Sequence, residues 1–487
     1  MSIEDLRKHL TRLEAQIIHL RRVLVHAERQ RIAVQEQLQK VATFPVVSLP
    51  VEITIQIFTH CLPTIKELLK SSRHSDLRDP PLVFLGVCRR WRDIALGTPA
   101  LWSTLQMRFD AIPLQVISEP GVVEGFVDRW LGRAKNRPLS LVLHTDKYEG
   151  EDYFDFGIER VRDIIRRHAP RIESLDLYSS RTEMRKLALD SVAFPLLQRV
   201  VVCDVDGWLG DDSADPVDVF SNAPLLTRVH LFENTTYSSF VFPALQLTEF
   251  EGRLDDLEFF NLAPNLITAK CMVDFVPEPP SVVTHAHLQS LTLAKDESDP
   301  SDPMDILPHL ILPKLETLDV SDIKDMDPAS ISGLVQRSAA KLDTLCITVP
   351  NDLYFSRWLG CLGVLNDTLE HLSVHSPSSS FLSLLTILGD PRYERAGPAL
   401  PHLKALSISH AGEIHFGDLV ECLTRRSPRL ESFSIRFKAG TFLHDEIYHE
   451  GSRTEIVSIL STLAEEGMDI HIGSGGRKEP YVQLIRS

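Results

Sequence analysis

Apolar residues recur along the first forty positions with a spacing of seven. With Ile3 as position a, the a set is Ile3, Leu10, Ile17, Leu24, Arg31 and Leu38, and the d set is Leu6, Leu13, Leu20, Ala27, Val34 and Val41. Only Arg31 is polar, and no proline or glycine interrupts the run. This predicts a continuous coiled-coil helix over residues 1–42, whose seam needs a partner. A parallel homodimer is the simplest arrangement. A helical partner protein through residues 3–41, or a fold back onto the chain's own surface, are the alternatives. Arg31 at an a position costs stability and can set register.

The pattern then shortens. From Leu49, the residues Ile53, Ile57 and Cys61 follow every four, and Leu85, Cys88, Trp91 and Ala95 line one face of a second helix. Pro50 stands where a first helical turn tolerates a missing N–H. Helices this short cannot bury a core alone, and Ile55, Phe58, Leu82 and Trp91 leave apolar area for a partner. We place this module at 44–105. A helical linker over 106–137 follows, with Val123, Phe126, Val127, Trp130, Leu131 and Ala134 at helical spacing. At Leu139–Leu143 the alternation switches to period two, which marks a strand.

Over 138–487 the chain repeats a Leu-x-x-Leu-x-Leu unit, often with proline two residues ahead. Copies begin at Ile172, Leu197, Leu226, Leu245, Leu266, Leu288, Leu315, Leu342, Leu369, Leu403 and Leu430. Most spacings fall in the window of about 20–29 residues typical of leucine-rich repeats. The last two apolar positions of each copy alternate and so point inward from a short strand. One unit cannot bury its apolar face, whereas a stack can, which predicts a solenoid with a parallel sheet. Ser330–Gln336, Phe381–Leu388 and Asp418–Arg425 are the expected helical returns. The residues between the inward positions should face solvent on the concave side, among them Asp176, Tyr178, His230, Phe232, Glu249 and Glu251, with Asp319, Ser321, Ser373 and His375. The first six are the candidate target-binding residues.

Charge and chemistry narrow the picture. A net charge of −16 over 487 residues argues against duplex nucleic acid or an anionic membrane as main partner. The basic run Arg160, Arg162, Arg166, Arg167 and His168 reads as a solvated helix face. Seven cysteines without a Cys-x-x-Cys pair suggest neither a disulfide framework nor a zinc site. The Asp204–Asp218 stretch lacks calcium-loop spacing and reads as a solvated acidic loop, as does Lys295–Asp305. No phosphate-binding loop, nucleophile elbow or metalloprotease motif occurs, so we expect no enzyme activity and no cofactor. Without an apolar leader or a span of about 18 apolar residues, the expected location is cytoplasm or nucleus.

Three segments carry a family resemblance. Leu49-Pro50-x-Glu52-Ile53-x-x-x-Ile57-Phe58, then Val87-Cys88-Arg89-Arg90-Trp91-Arg92-Asp93-Ile94-Ala95, then Pro99-Ala100-Leu101-Trp102 resemble an F-box. Trp130-Leu131-x-Arg133-Ala134 followed by Arg137-Pro138-Leu139-Ser140-Leu141 resembles the join to the C-terminal region in fungal F-box proteins. The resemblance implies a small three-helix module that holds a Skp-type adaptor, and through it a cullin, by Leu49, Pro50, Ile53, Ile57, Phe58, Leu82, Val87, Trp91 and Trp102. It further implies a substrate receptor in ubiquitin-dependent protein degradation, with an unknown target protein on the repeats. Two departures stand out: the long Pro63–Pro81 linker, and a repeat asparagine present only at Asn234, which points to an irregular solenoid. The fold class expected is α then α/β. The competing expectation is a coiled-coil and solenoid scaffold that does not bind the adaptor.

Overall fold

The computed structural model describes residues 3–41, 49–63, 80–109, 112, 116, 118–119, 121–145, 151–187, 189, 192–204, 215–232, 235–273, 282–295, 302–323, 326–349, 355–376, 400–411, 420, 423–424, 426, 429–437 and 450–474. The chain divides into two compact units, Met1–Leu101 and Trp102–Ser487. The first is helical and the second combines helices with a large parallel sheet, the α then α/β class.

In the first unit, α1 runs Ile3–Val41 without a break, as the seven-residue pattern requires. Among the described residues three short helices follow: α2 (Val51–His60), α3 (Leu82–Val87) and α4 (Arg89–Gly97). The single helix expected across Leu85, Cys88, Trp91 and Ala95 is instead two. Cys88 is extended (φ −157°), and its sulfur accepts the Trp91 N–H at 3.4 Å, capping α4. Arg92 Nε closes the end of α3 by donating to the Leu85 carbonyl at 2.9 Å. Most of the long linker, residues 64–79, lies outside the described residues.

In the second unit, the large sheet consists of β1 (Thr104–Arg108), β2 (Leu139–His144), β3 (Ile172–Ser179), β4 (Arg199–Asp204), β5 (Arg228–Phe232), β6 (Glu249–Leu254) and β7 (Thr268–Val273). Beyond the short β8 (Val283–Thr284) it continues with β9 (Ser290–Ala294). After β10 (Leu310–Ile311) come β11 (Thr317–Asp319), β12 (Thr344–Thr348), β13 (His371–His375), β14 (Ala405–Ala411), β15 (Ser432–Phe437) and β16 (Asp469–Ser474). All pairings are parallel and follow chain order, while β8 and β10 pair apart as a small second sheet. Each of the eleven sequence copies supplies one strand. Three strands, β1, β2 and β16, extend the sheet beyond them.

The register explains why the copies stack. Leu141, Leu175, Val200 and Val229 align across β2 to β5, and Leu318, Leu345, Leu372, Leu406 and Phe433 across β11 to β15. These side chains are buried. Just before the strands a second ladder links successive units, as in Gln198 N–H to Glu173 O (2.8 Å), Thr248 to Thr227 (2.9 Å), Asp343 to Glu316 (2.9 Å) and Glu431 to Lys404 (2.7 Å). Backbone carbonyls of the preceding unit thus satisfy the N–H groups at the entry to these strands. Asn234 itself lies outside the described residues, as do Phe381–Leu388 and most of Asp418–Arg425. The return at Ser330–Gln336 is a helix (Pro328–Ser338) that buries Ile331, Leu334 and Val335.

Four expectations are corrected here. The copy placed at Leu245 starts at Leu247, which is 1% exposed against 71% for Leu245, because only Leu247 stands three residues before the inward Phe250. Residues 106–137 are not simply a helical linker, since β1 already pairs with β2. The boundary at 105 likewise cuts a strand, because Trp102-x-x-Leu105-x-Met107 is itself a copy of the unit with tryptophan in first place. The basic run is not a wholly solvated face: Arg160 pairs with Glu124, and Arg167 reaches Asp128 at 2.6 Å, tying the helix Glu151–His168 to the helix Val122–Arg133.

At Gly252 the sheet departs from its own pattern. The glycine stands at an inward place of β6, beside Cys271 of β7, and the Phe250 ring fills the space. A Cβ there would lie 3.0 Å from both Leu231 Cβ and Phe250 Cζ. Gly252→Ala is expected to cost about 1–3 kcal/mol by overpacking, measured as a lower urea midpoint with unchanged slope.

Candidate interaction surfaces

In the first unit an aromatic cluster sets what is left outside. Phe58 is fully buried, stacked on Phe84 (centroids 4.0 Å, planes 5° apart) and met edge-on by Trp91 at 4.9 Å. The expectation that Phe58 lies on the adaptor surface is corrected: its helical position turns it inward, where it holds α2 against α3 and α4. Trp91 and Leu82 are half-buried. Leu49 is half-buried, with its carbonyl accepting from Arg90 Nη2 at 2.8 Å. Pro50 is exposed and caps α2, its carbonyl taking both the N–H and the hydroxyl of Thr54 at 3.1 Å. Among the described residues of these short helices, what remains apolar and open is Ile53 and Ile57, each 41% exposed and one helical turn apart, together with Val51, Val87 and Leu96.

Trp102 belongs to the second unit and is fully buried. Its ring meets Trp130 edge-on at 4.9 Å and lies under the Arg133 guanidinium at 4.4 Å. As the first apolar position of its repeat copy it must point into the core, so it offers no adaptor surface.

The outward face of the sheet is built from the positions between the inward rows. Gln106, Val142, Asp176, Val201, His230, Glu251 and Lys270 share one row across β1 to β7. One row further lie His144, Tyr178, Cys203 and Phe232. The six candidates thus fall on one face, but not equally open to a partner. Asp176 is fully buried, with Oδ1 accepting from Arg199 at 2.7 Å and from the Ser174 hydroxyl. Burial raises its pKa more than Arg199 lowers it. Its expected solvent exposure is therefore corrected: Val142 and Val201 beside it in the row are buried as well, so this part of the face is closed. Tyr178, His230, Phe232 and Glu251 are half-buried and Glu249 is exposed. Tyr178 stacks on His144 at 4.3 Å, and burial foremost raises its phenol pKa. His230 packs against Phe232 with centroids 3.9 Å apart.

Glu251 joins two strands at once. His230 Nε2 lies 3.0 Å from one carboxylate oxygen, and Lys270 Nζ 2.7 Å from the other. Burial alone would raise the carboxyl, yet the neighbouring His230 and Lys270 prevail and hold its pKa at about 2, down from 4.5. A lowered folded pKa stabilises above the unfolded value and is lost as pH falls. The melting-temperature advantage of the parent over Glu251→Gln is therefore expected above pH 4.5, to shrink as pH falls below it and to be lost as pH falls through about 2.

The sequence pattern missed His144, Arg199 and Lys270, which complete this face. Each stands at an outward register position, but recognising that requires knowing which strands are neighbours. The acidic stretches lie largely outside the description, as residues 205–214 and 296–301. Among the described residues no group of three or more His, Cys, Asp or Glu could hold a metal ion, and no helix is long and apolar enough to cross a membrane. No protein-family model matches the sequence, and no curated protein matches it.

Proposed function

We propose that this chain is a non-catalytic substrate receptor of a Skp–cullin–F-box ubiquitin ligase, acting in the cytoplasm or nucleus. In this reading α2 to α4 are the F-box module that docks the adaptor, and the ordered parallel strands form an irregular leucine-rich-repeat-like solenoid that holds a target protein. The observation that carries the reading is the paired exposure of Ile53 and Ile57 above a tight Phe58–Phe84–Trp91 cluster, within the Leu-Pro-x-Glu-Ile motif. A folded three-helix module that keeps two isoleucines open on one helix has apolar surface to give to a partner.

The outward sheet face suits recognition of a protein chain. It offers aromatic rings in His144–Tyr178 and His230–Phe232 beside fixed charges at Glu251 and Lys270. Ubiquitin transfer would belong to the partners, and this chain would supply proximity. The deciding experiment is titration of the purified chain with a recombinant Skp-type adaptor by calorimetry. Saturable one-to-one binding is the expected result. No heat and no co-elution would sink the ligase reading and leave a scaffold.

A further inference from the structure

We propose that α1 pairs with α1 of a second copy of this chain as an antiparallel two-stranded coiled coil in one defined register. The continuous helix leaves its seam open: Leu6, Leu10, Leu13, Ile17, Leu20, Leu24 and Val34 are 42–64% exposed. The charges beside the seam say what covers it. The e positions read Arg7, Glu14, Arg21 and Glu28, alternating in sign, whereas the g positions His9, Gln16, Val23 and Gln30 contain no Lys, Arg, Asp or Glu.

Antiparallel helices set e against e and a against d, while parallel helices set g against e and a against a. With Ile17 of one copy opposite Leu20 of the other, Leu10 meets Ala27 and Leu24 meets Leu13. Arg7 then faces Glu28 of the second copy and Glu14 faces its Arg21, so every charged e position finds its opposite. Sliding by one heptad one way puts Arg21 against Arg21 and Glu14 against Glu28. Sliding the other way puts Glu14 against Glu14 and Arg7 against Arg21. Like charges at such positions repel, so the sequence selects one register.

The parallel in-register dimer has neither advantage. Its e charges meet uncharged or histidine g positions, and its a layer at Arg31 brings two guanidinium groups together inside the seam. In the antiparallel register Arg31 lies opposite Leu6, near the end of the overlap, where its head reaches water. The parallel arrangement that the heptad first suggests is therefore disfavoured. All of these groups lie in residues 3–41, so the pairing holds whether or not the adaptor binds.

Sedimentation equilibrium of the full chain tests this with two double variants. Glu14→Arg/Glu28→Arg makes every charged e position basic, and Arg7→Glu/Arg21→Glu makes every one acidic. The parent should be a dimer in the micromolar range. Each variant alone should associate at least about tenfold more weakly, with helix content by circular dichroism unchanged. An equimolar mixture of the two should recover a dimer. A monomeric parent, variants that associate as strongly as the parent, or a mixture that fails to recover would each overturn the proposal.

Discussion

Replacing Ile53 and Ile57 together by aspartate is expected to abolish adaptor binding while leaving the helical module folded. Both side chains are 41% exposed, one turn apart on α2, and neither belongs to the Phe58–Phe84–Trp91 cluster. Covering the part of each isoleucine still open contributes less than half of the about 1.5–3 kcal/mol of full burial, and the larger loss comes from the unpaired carboxylate that docking would bury. Two such changes should weaken the complex by at least about a hundredfold, with a thermal midpoint close to that of the parent. These positions test the surface more cleanly than Leu49 or Pro50. The Leu49 carbonyl anchors Arg90 and the Pro50 carbonyl starts α2, so changes there disturb the module itself. Calorimetry with a Skp-type adaptor reads the result. Undiminished binding by a folded double variant would place the adaptor elsewhere.

The largest stability effect is expected at Trp102. Replacing it by alanine removes a fully buried indole, its edge contact with Trp130 and the surface on which Arg133 rests. Large aromatic-to-alanine changes in packed cores cost about 3–5 kcal/mol, and loss of the cation–π contact adds to this. Urea unfolding of the sheet-bearing unit should show a lower midpoint, the shift multiplied by the slope giving that cost. A variant as stable as the parent would contradict the core role. The contrast with Ile53 and Ile57 is the useful one: three positions of the same motif set divide into surface and core, and only burial separates them.

Much of the fold could be read from periodicity. Heptad, four-residue and alternating patterns marked α1, the short helices and the repeat strands, because each element repeats its side-chain direction at a fixed period. The misreadings share a cause. Cys88 fits a helical stripe, yet its extended backbone separates α3 from α4 and its sulfur accepts the Trp91 N–H to start α4. Leu245 and Leu247 both look apolar enough to open a repeat, and only the distance to Phe250 chooses between them. Trp102 entered the adaptor set through the Pro-Ala-Leu-Trp resemblance, while its place as the first apolar position of a repeat copy, held by leucine or isoleucine in the other eleven, shows only once Leu105 and Met107 are seen to form a strand.

The candidate surfaces were legible as sets of residues and not as geometries. Alternation put Asp176, Tyr178, His230 and Glu251 on one side of their strands, because successive side chains in a strand must point to opposite faces. It could not tell that Asp176 is buried and paired with Arg199, or that Glu251 is held by His230 and Lys270 from strands on either side. Those contacts depend on which strands become neighbours and at what register, information carried by packing across tens of residues. The sequence alone determined the order of elements, the inward rows and the charge alternation beside the seam of α1, since each is a local repeat. The tertiary structure decided which apolar residues remain open and which charges are paired, because burial is a property of neighbours and not of spacing.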